Sequence, residues 1–130
     1  MSSSKKYKVL IVDDDQFISD MYVLKFKEAG FEAIAAAEGT AAIEHVKKES
    51  PDLVLLDIVL PNMDGFDILK ALAKEKLLGT TKVVLLSNLG EKKDIEKGLA
   101  LGAIDYIVKA HHTPSEVVAK VEEILKKGEK

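Results

Sequence analysis

Tyr7-Lys8-Val9-Leu10-Ile11-Val12-Asp13-Asp14-Asp15 is an apolar run that stops abruptly on three acids. With no in-and-out alternation, it reads as a strand buried on both faces, the kind that parallel sheets contain. Working outward, Phe17, Ile18, Met21, Tyr22, Leu24 and Phe26 recur at helical spacing over 17–29, and Gly30 stands where that helix would stop. The pattern then repeats. Residues 32–36 predict a weaker, Ala-rich strand, and 40–48 a helix closed before Ser50-Pro51. Residues 53–56 are again uniformly apolar and end at Asp57. Pro61-Asn62-Met63-Asp64-Gly65 reads as a turn, with Asp64 capping a helix over 66–76 that ends near Gly79. A fourth strand over 83–86 ends at Ser87. A helix over 94–101 follows, with Ile95, Leu99 and Leu101 facing the core and Gly102 as its stop, and a fifth strand over 104–108 ends at Lys109. Thr113-Pro114-Ser115-Glu116 combines a Thr cap, Pro in the first helical position and Glu in the third, a capping box that opens a helix to about Lys127.

Five strands alternating with five helices imply an α/β fold, a parallel sheet with helices on both faces. Of the common doubly wound orders, five strands fit the flavodoxin-like order 2-1-3-4-5, a (βα)5 arrangement. In that order the first and third strands are neighbours at the topological switch point, so their carboxyl ends line the functional crevice. The 130 residues suit one domain, expected over 7–127 between a flexible tail at 1–6 and a short one at 128–130. With 47% hydrophobic and 32% charged residues the chain lies in the globular range. All nineteen basic side chains are Lys, set against 22 acids for a net charge of −3. Without a single guanidinium fork the chain is poorly equipped to read nucleic acid, and no nucleic-acid partner is expected. Cysteine is absent, which excludes disulfides, thiolate zinc sites and cysteine nucleophiles. The first residues lack the apolar segment of a secretory signal, and no run approaches the ~18 residues of a membrane span. The expected location is cytoplasmic.

The strand ends carry the chemistry. Asp13, Asp14 and Asp15 follow the first strand, Asp57 closes the third, Ser87 the fourth and Lys109 the fifth. An acidic run before a helix is ordinarily capping chemistry, and one of the first three acids suits that role. Capping does not explain Asp57, which closes a buried strand beside Asp13 and Asp14. Two carboxylates 4 Å apart repel by about 4 kcal/mol at an effective dielectric near 20, so such a cluster must protonate, pair with Lys109 or bind a cation. Oxygen ligands in a wet crevice suit Mg²⁺ better than Ca²⁺. A carboxylate can accept a phosphoryl group as an acyl phosphate while a metal and an ammonium neutralise the transferring oxygens.

These residues resemble the receiver domain of two-component response regulators, of the single-domain, chemotaxis-regulator type. The resemblance rests on residues 9–15, Pro51 through Asp57, Leu60-Pro61-Asn62-Met63-Asp64-Gly65, Ser87, and Gly102-Ala103 through Tyr106 to Lys109. It implies that Asp57 is the phosphoryl acceptor. Asp14 is then a direct Mg²⁺ ligand together with Asp57 and the carbonyl of Val59, and Asp13 is a second acid acting directly or through water. Asp15 is left as the cap. Ser87 matches the hydroxyl that contacts the phosphoryl group, Lys109 the lysine that pairs with its oxygens, and Tyr106 the switch aromatic. The implied function is a signalling switch rather than a metabolic enzyme. A histidine kinase or phosphotransfer protein donates the group, and the face of the fourth helix, fifth strand and fifth helix binds a downstream effector. The implied protein is a monomer or weak dimer.

Two positions depart from the family. Ala110 stands where proline usually follows the lysine. A cis bond before Ala costs ~3 kcal/mol, so a trans bond and an altered loop are expected. Asn88 replaces a small residue and narrows access to the acceptor. Val59 and Leu89, each two residues past a site residue, offer no polar group to orient water, which predicts slow self-dephosphorylation. The alternative function is a pseudo-receiver, a binding scaffold that does not use the acid pocket. A flavin electron carrier shares the fold, but three acids after its first strand would repel the FMN phosphate.

Overall fold

A strand buried on both faces needs a helical layer on each side, and the computed structural model, which describes residues 6–88 and 91–127, has both. Strands β1 (Lys8–Val12), β2 (Glu32–Ala36), β3 (Leu53–Asp57), β4 (Lys82–Ser87) and β5 (Asp105–Val108) alternate with helices. The helices are α1 (Gln16–Glu28), α2 (Gly39–Glu49), α3 (Gly65–Lys74), α4 (Lys92–Ala100) and α5 (Pro114–Lys127), with a 3₁₀ turn, Lys109–His111, before α5. Every strand pair is parallel and the order is β2-β1-β3-β4-β5. This is the flavodoxin-like doubly wound α/β fold that the strand-helix rhythm implies. Apart from Lys6, the two expected tails lie outside the described residues, and so does Leu89.

Alternation along the strands sorts the core into two layers. Val9, Ile11, Leu53, Leu55, Val84, Leu86 and Ile107 face α1 and α5, where they meet Tyr22, Phe26, Val117 and Val121. Leu10, Val12, Val54, Leu56, Val83 and Leu85 face the other way, against Ala42 and Val46 of α2 and Phe66, Ile68 and Leu69 of α3. Helix α4 joins that second layer at Gly98, where a Cβ would run into the Leu85 side chain.

The helix ends follow their residues. Asp64 caps α3 by accepting from Asp67 N at 2.9 Å, and Asp67 answers through Asp64 N. The box before α5 forms as spaced, Thr113 N to Glu116 Oε1 at 2.8 Å and Glu116 N to Thr113 Oγ1 at 3.2 Å. Gly30 and Gly102 stop their helices at φ +96° and +121°.

Three local expectations are corrected. Helix α3 stops at Lys74 rather than Lys76, and the left-handed residue beyond it is Lys76 at φ 60°, so the chain turns before Gly79. Helix α4 starts two residues earlier than its apolar pattern. Leu99 is 40% exposed and not core, because α4 buries only Ile95 and Gly98. The close approach at Gly98 aims that residue at the sheet, and the next one, about 100° around the helix, is turned outward.

Candidate functional site

The layer facing α1 and α5 continues past the ends of its strands into charge. Asp57 has the parity of Leu53 and Leu55 in β3, and Asp13 and Lys109 extend the series of Val9 and Ile11 and of Ile107. Three charged side chains therefore arrive on one side of the sheet at one end. Lys109 Nζ donates to Asp13 Oδ2 at 2.9 Å and to Asp57 Oδ2 at 3.0 Å. Both carboxylates are buried, and the lysine side chain is 14% exposed. The lysine reaches this place although it opens a 3₁₀ turn with Ala110 instead of proline, and no peptide bond among the described residues is cis.

Backbone donors fix the acids further. Val59 N donates to Asp57 Oδ1 at 3.1 Å, and Asp15 N to Asp13 Oδ1 at 2.9 Å. Asp15 caps α1, its Oδ1 accepting from Phe17 N and Ile18 N at 3.0 and 3.2 Å. Asp14 is exposed, yet a carboxylate oxygen from each of Asp13, Asp14 and Asp57 can lie within 4.8 Å of the others. That set of hard oxygen donors, with a net negative charge that one ammonium does not cancel, fits a divalent cation such as Mg²⁺. Asp14, Asp57 and Asp13 are the side chains that would hold it.

The electrostatics follow from burial. Loss of water pushes the Asp57 carboxyl above the ordinary carboxylate value; Lys109 and the Val59 N–H oppose this, and Asp13 adds to it. Burial works against the Lys109 ammonium, but its bonds to Asp13 and Asp57 outweigh that and hold it above the ordinary lysine value.

The remaining expected residues divide. Val59 and Asn88 line the depression of about 450 Å³ above the acids, and Val59 is 69% exposed. Ser87 is buried at the end of β4, one residue past the Leu86 that pairs with Asp57, and Val83 and Leu85 before it face the other side of the sheet. Tyr106 shares that side, paired in register with Leu85, and at 38% exposure it is not drawn into the pocket. Outside the expected set, His111 and His112 lie in the turn before α5, with His112 Nδ1 3.9 Å from Glu116 Oε1. Sequence reasoning passed over Ser19, whose hydroxyl donates to the Asp13 carbonyl at 3.3 Å. The available signal was a polar residue on the buried stripe Ser19, Tyr22, Phe26 of α1.

Lys109 bridging two strand-end acids beside a third invites comparison with known proteins. The family model of the response regulator receiver domain matches residues 9–122. The chain belongs to that family. As a receiver domain, it is 36% identical over 122 residues to the alkaline phosphatase synthesis transcriptional regulatory protein PhoP of Bacillus subtilis, covering 94% of this chain and 50% of that protein. It is 38% identical over 120 residues to the regulatory protein VanRc of Enterococcus gallinarum, covering 92% and 50%. The chain thus spans about half the length of the curated relatives it matches. Among solved structures, the Francisella response regulator 1452 receiver domain superposes with a TM-score of 0.84 at 30% identity, covering 94% of this chain and 98% of that one. The Vibrio cholerae chemotaxis protein CheY4 superposes with 0.85 at 28% identity, covering 92% and 99%. Receiver domains are signalling switches of two-component systems. Among the described residues, no helix is long and apolar enough to cross a membrane.

Proposed function

We propose that this receiver accepts a phosphoryl group on Asp57 from a phosphohistidine of a histidine kinase or phosphotransfer protein, with Mg²⁺ held by Asp14, Asp57, Asp13 and the Val59 carbonyl. The observation that carries the reading is Asp57 itself, a buried carboxylate held between Lys109 and the Val59 N–H at the switch point of the sheet. A carboxylate oxygen attacks phosphorus, the donor's N–P bond breaks, an O–P bond forms, and the imidazole leaves with the N–P electron pair. Bound Mg²⁺ supplies charge neutralisation of the transferring oxygens. Lys109 adds a second cation on the same side, and Asp13 keeps that ammonium in place. Ser87, at the neighbouring strand end, contacts the phosphoryl group once it is in place.

The output follows from the other face of the sheet. Leu99, Ile104 and Tyr106 are exposed apolar residues on and around α4 and β5. Drawing Ser87 toward the phosphoryl group opens room for Tyr106 to turn inward, shifting the population between two packings of this effector-binding surface. Regulation of this kind belongs to the cytoplasm, where phosphohistidine donors operate. A protein effector fits better than nucleic acid, since every basic side chain is Lys.

Intact mass after incubation with Mg²⁺ and acetyl phosphate or phosphoramidate tests the proposal, with Asp57→Asn beside it. One added phosphoryl group, dependent on Mg²⁺ and lost in the variant, supports it. Asn88 lines the entrance and favours a second reading if small donors fail. No adduct, together with no response to beryllofluoride and Mg²⁺, would make the chain a pseudo-receiver scaffold.

A further inference from the structure

Met63 has no part in the chemistry above, yet it belongs to the loop from β3 to α3 that walls the acid pocket. Val59, Leu60 and Pro61 of that loop line the depression. The loop is tightly folded: Met63 N donates to the Pro61 carbonyl at 2.7 Å beside a left-handed Asn62 at φ 67°, and Gly65 N to the Ile58 carbonyl at 2.9 Å. The half-buried Met63 side chain packs into the core layer of Ala42 from α2 and Phe66 from α3. There it takes the place of a side chain on Gly39, the buried first residue of α2. A Cβ on Gly39 would lie 2.5 Å from Met63 Sδ and 2.9 Å from Met63 Cγ. The Gly39 backbone is not left-handed, so its conformation does not call for glycine. Room for the thioether does, although glycine weakens a helix relative to Ala. Glu38 gives α2 no side-chain cap, and its first turn leans on this packing.

A thioether is an apolar group that a mild oxidant turns into a polar one, and the chain has neither cysteine nor tryptophan to compete for the oxidant. We propose that Met63 is a site of oxidation by hydrogen peroxide, and that its sulfoxide releases the β3–α3 loop from the start of α2. The sulfur lone pair takes one peroxide oxygen, an S–O bond forming as the O–O bond breaks. The other oxygen leaves as water with the proton of the first. Sulfur gives up two electrons and the peroxide gains them. The added oxygen has no room beside Gly39, where sulfur already fills the place of a Cβ, and its polarity suits water better than the layer of Ala42 and Phe66. The oxidised side chain therefore leaves its slot, and the loop that carries Val59, Leu60 and Pro61 loses its hold on α2. Neither Mg²⁺ nor the chemistry of Asp57 enters this step.

The test treats the metal-free protein with graded hydrogen peroxide and reads peptide mass, thermal midpoint and amide exchange, for wild type, Met21→Leu and Met63→Leu, swaps of similar volume. The expected result in wild type and Met21→Leu is one added oxygen on Met63, a midpoint lower by about 4 °C and faster exchange over 39–42 and 58–64. Methionine sulfoxide reductase with a dithiol restores all three. Met63→Leu holds its midpoint under the same treatment; should that variant not fold, the reductase reversal in Met21→Leu decides alone. No oxygen on Met63 at doses that oxidise Met1, an oxidised Met63 with midpoint and exchange unchanged, or an equal fall in Met63→Leu would each overturn the inference, and none of them bears on the phosphoryl acceptor.

Discussion

Burial raises the Asp57 carboxyl above its ordinary value, and the consequence is a charge that folding must hold against its preference. The folded state therefore retains a proton that the unfolded chain has already released. Stability falls as pH rises from the ordinary carboxylate range through the folded value. Asp57→Asn removes that burden and keeps the volume. At pH 7 without metal the variant is expected to melt above the wild type, with the gain shrinking toward pH 4; scanning calorimetry across pH checks both. Lys109 has the same sign of pH dependence in a far higher window, but there folding favours the charged form. Its contribution is complete below the ordinary lysine value of 10.5 and is lost only as pH rises through its raised folded value. Val59 sits at the mouth with an apolar side chain, so the acyl phosphate is expected to persist. Val59→Asn, offering an amide to orient water, should shorten its lifetime several-fold in a phosphate-release assay.

Among the elements, the join between β3 and α3 is closed by backbone rather than by a side chain that could give way. A Cβ on Gly65 would lie 2.6 Å from the Asp57 carbonyl oxygen and 2.9 Å from Ile58 Cα, so α3 can begin here only with glycine. Gly65→Ala forces backbone apart and is expected to cost about 2 kcal/mol, seen as a lower urea midpoint at unchanged m. The elements also show what a sequence can and cannot convey. Strands β1 and β3 were legible because a run of Val, Leu and Ile with no polar break allows only a strand covered on both sides. The caps at Asp64 and Thr113 were legible because their partners stand three residues away. The turn at Lys76 was not, since a left-handed lysine carries no mark in the sequence. Leu99 was misjudged because its orientation is set by Gly98 meeting Leu85, a contact between residues far apart in the chain. For the pocket, strand ends and switch point located Asp13, Asp57 and Lys109 together. The Ser19 hydroxyl behind Asp13 depended on helix phase.

Across the whole molecule, a cation at the acids would stabilise the fold as a unit, because Asp13, Asp14 and Asp57 come together only when β1 and β3 are paired. Mg²⁺ at a hundredfold over its Kd is expected to add about 2.7 kcal/mol to unfolding. A thermal midpoint unmoved by Mg²⁺ would contradict the cation site. Full switching asks more, since inverting a 1:99 population needs about 5.5 kcal/mol of preference for the active packing. The sheet itself sets how such a switch can be inherited. Because Asp57 and Lys109 continue the side of Leu55 and Ile107 while Tyr106 pairs with Leu85 on the other, with Ser87 at the rim between, the sheet stands between the chamber that receives a signal and the wall that broadcasts it. Descendants of this chain can therefore exchange listeners by altering the residues around Tyr106 while Asp57 and Lys109 are left untouched.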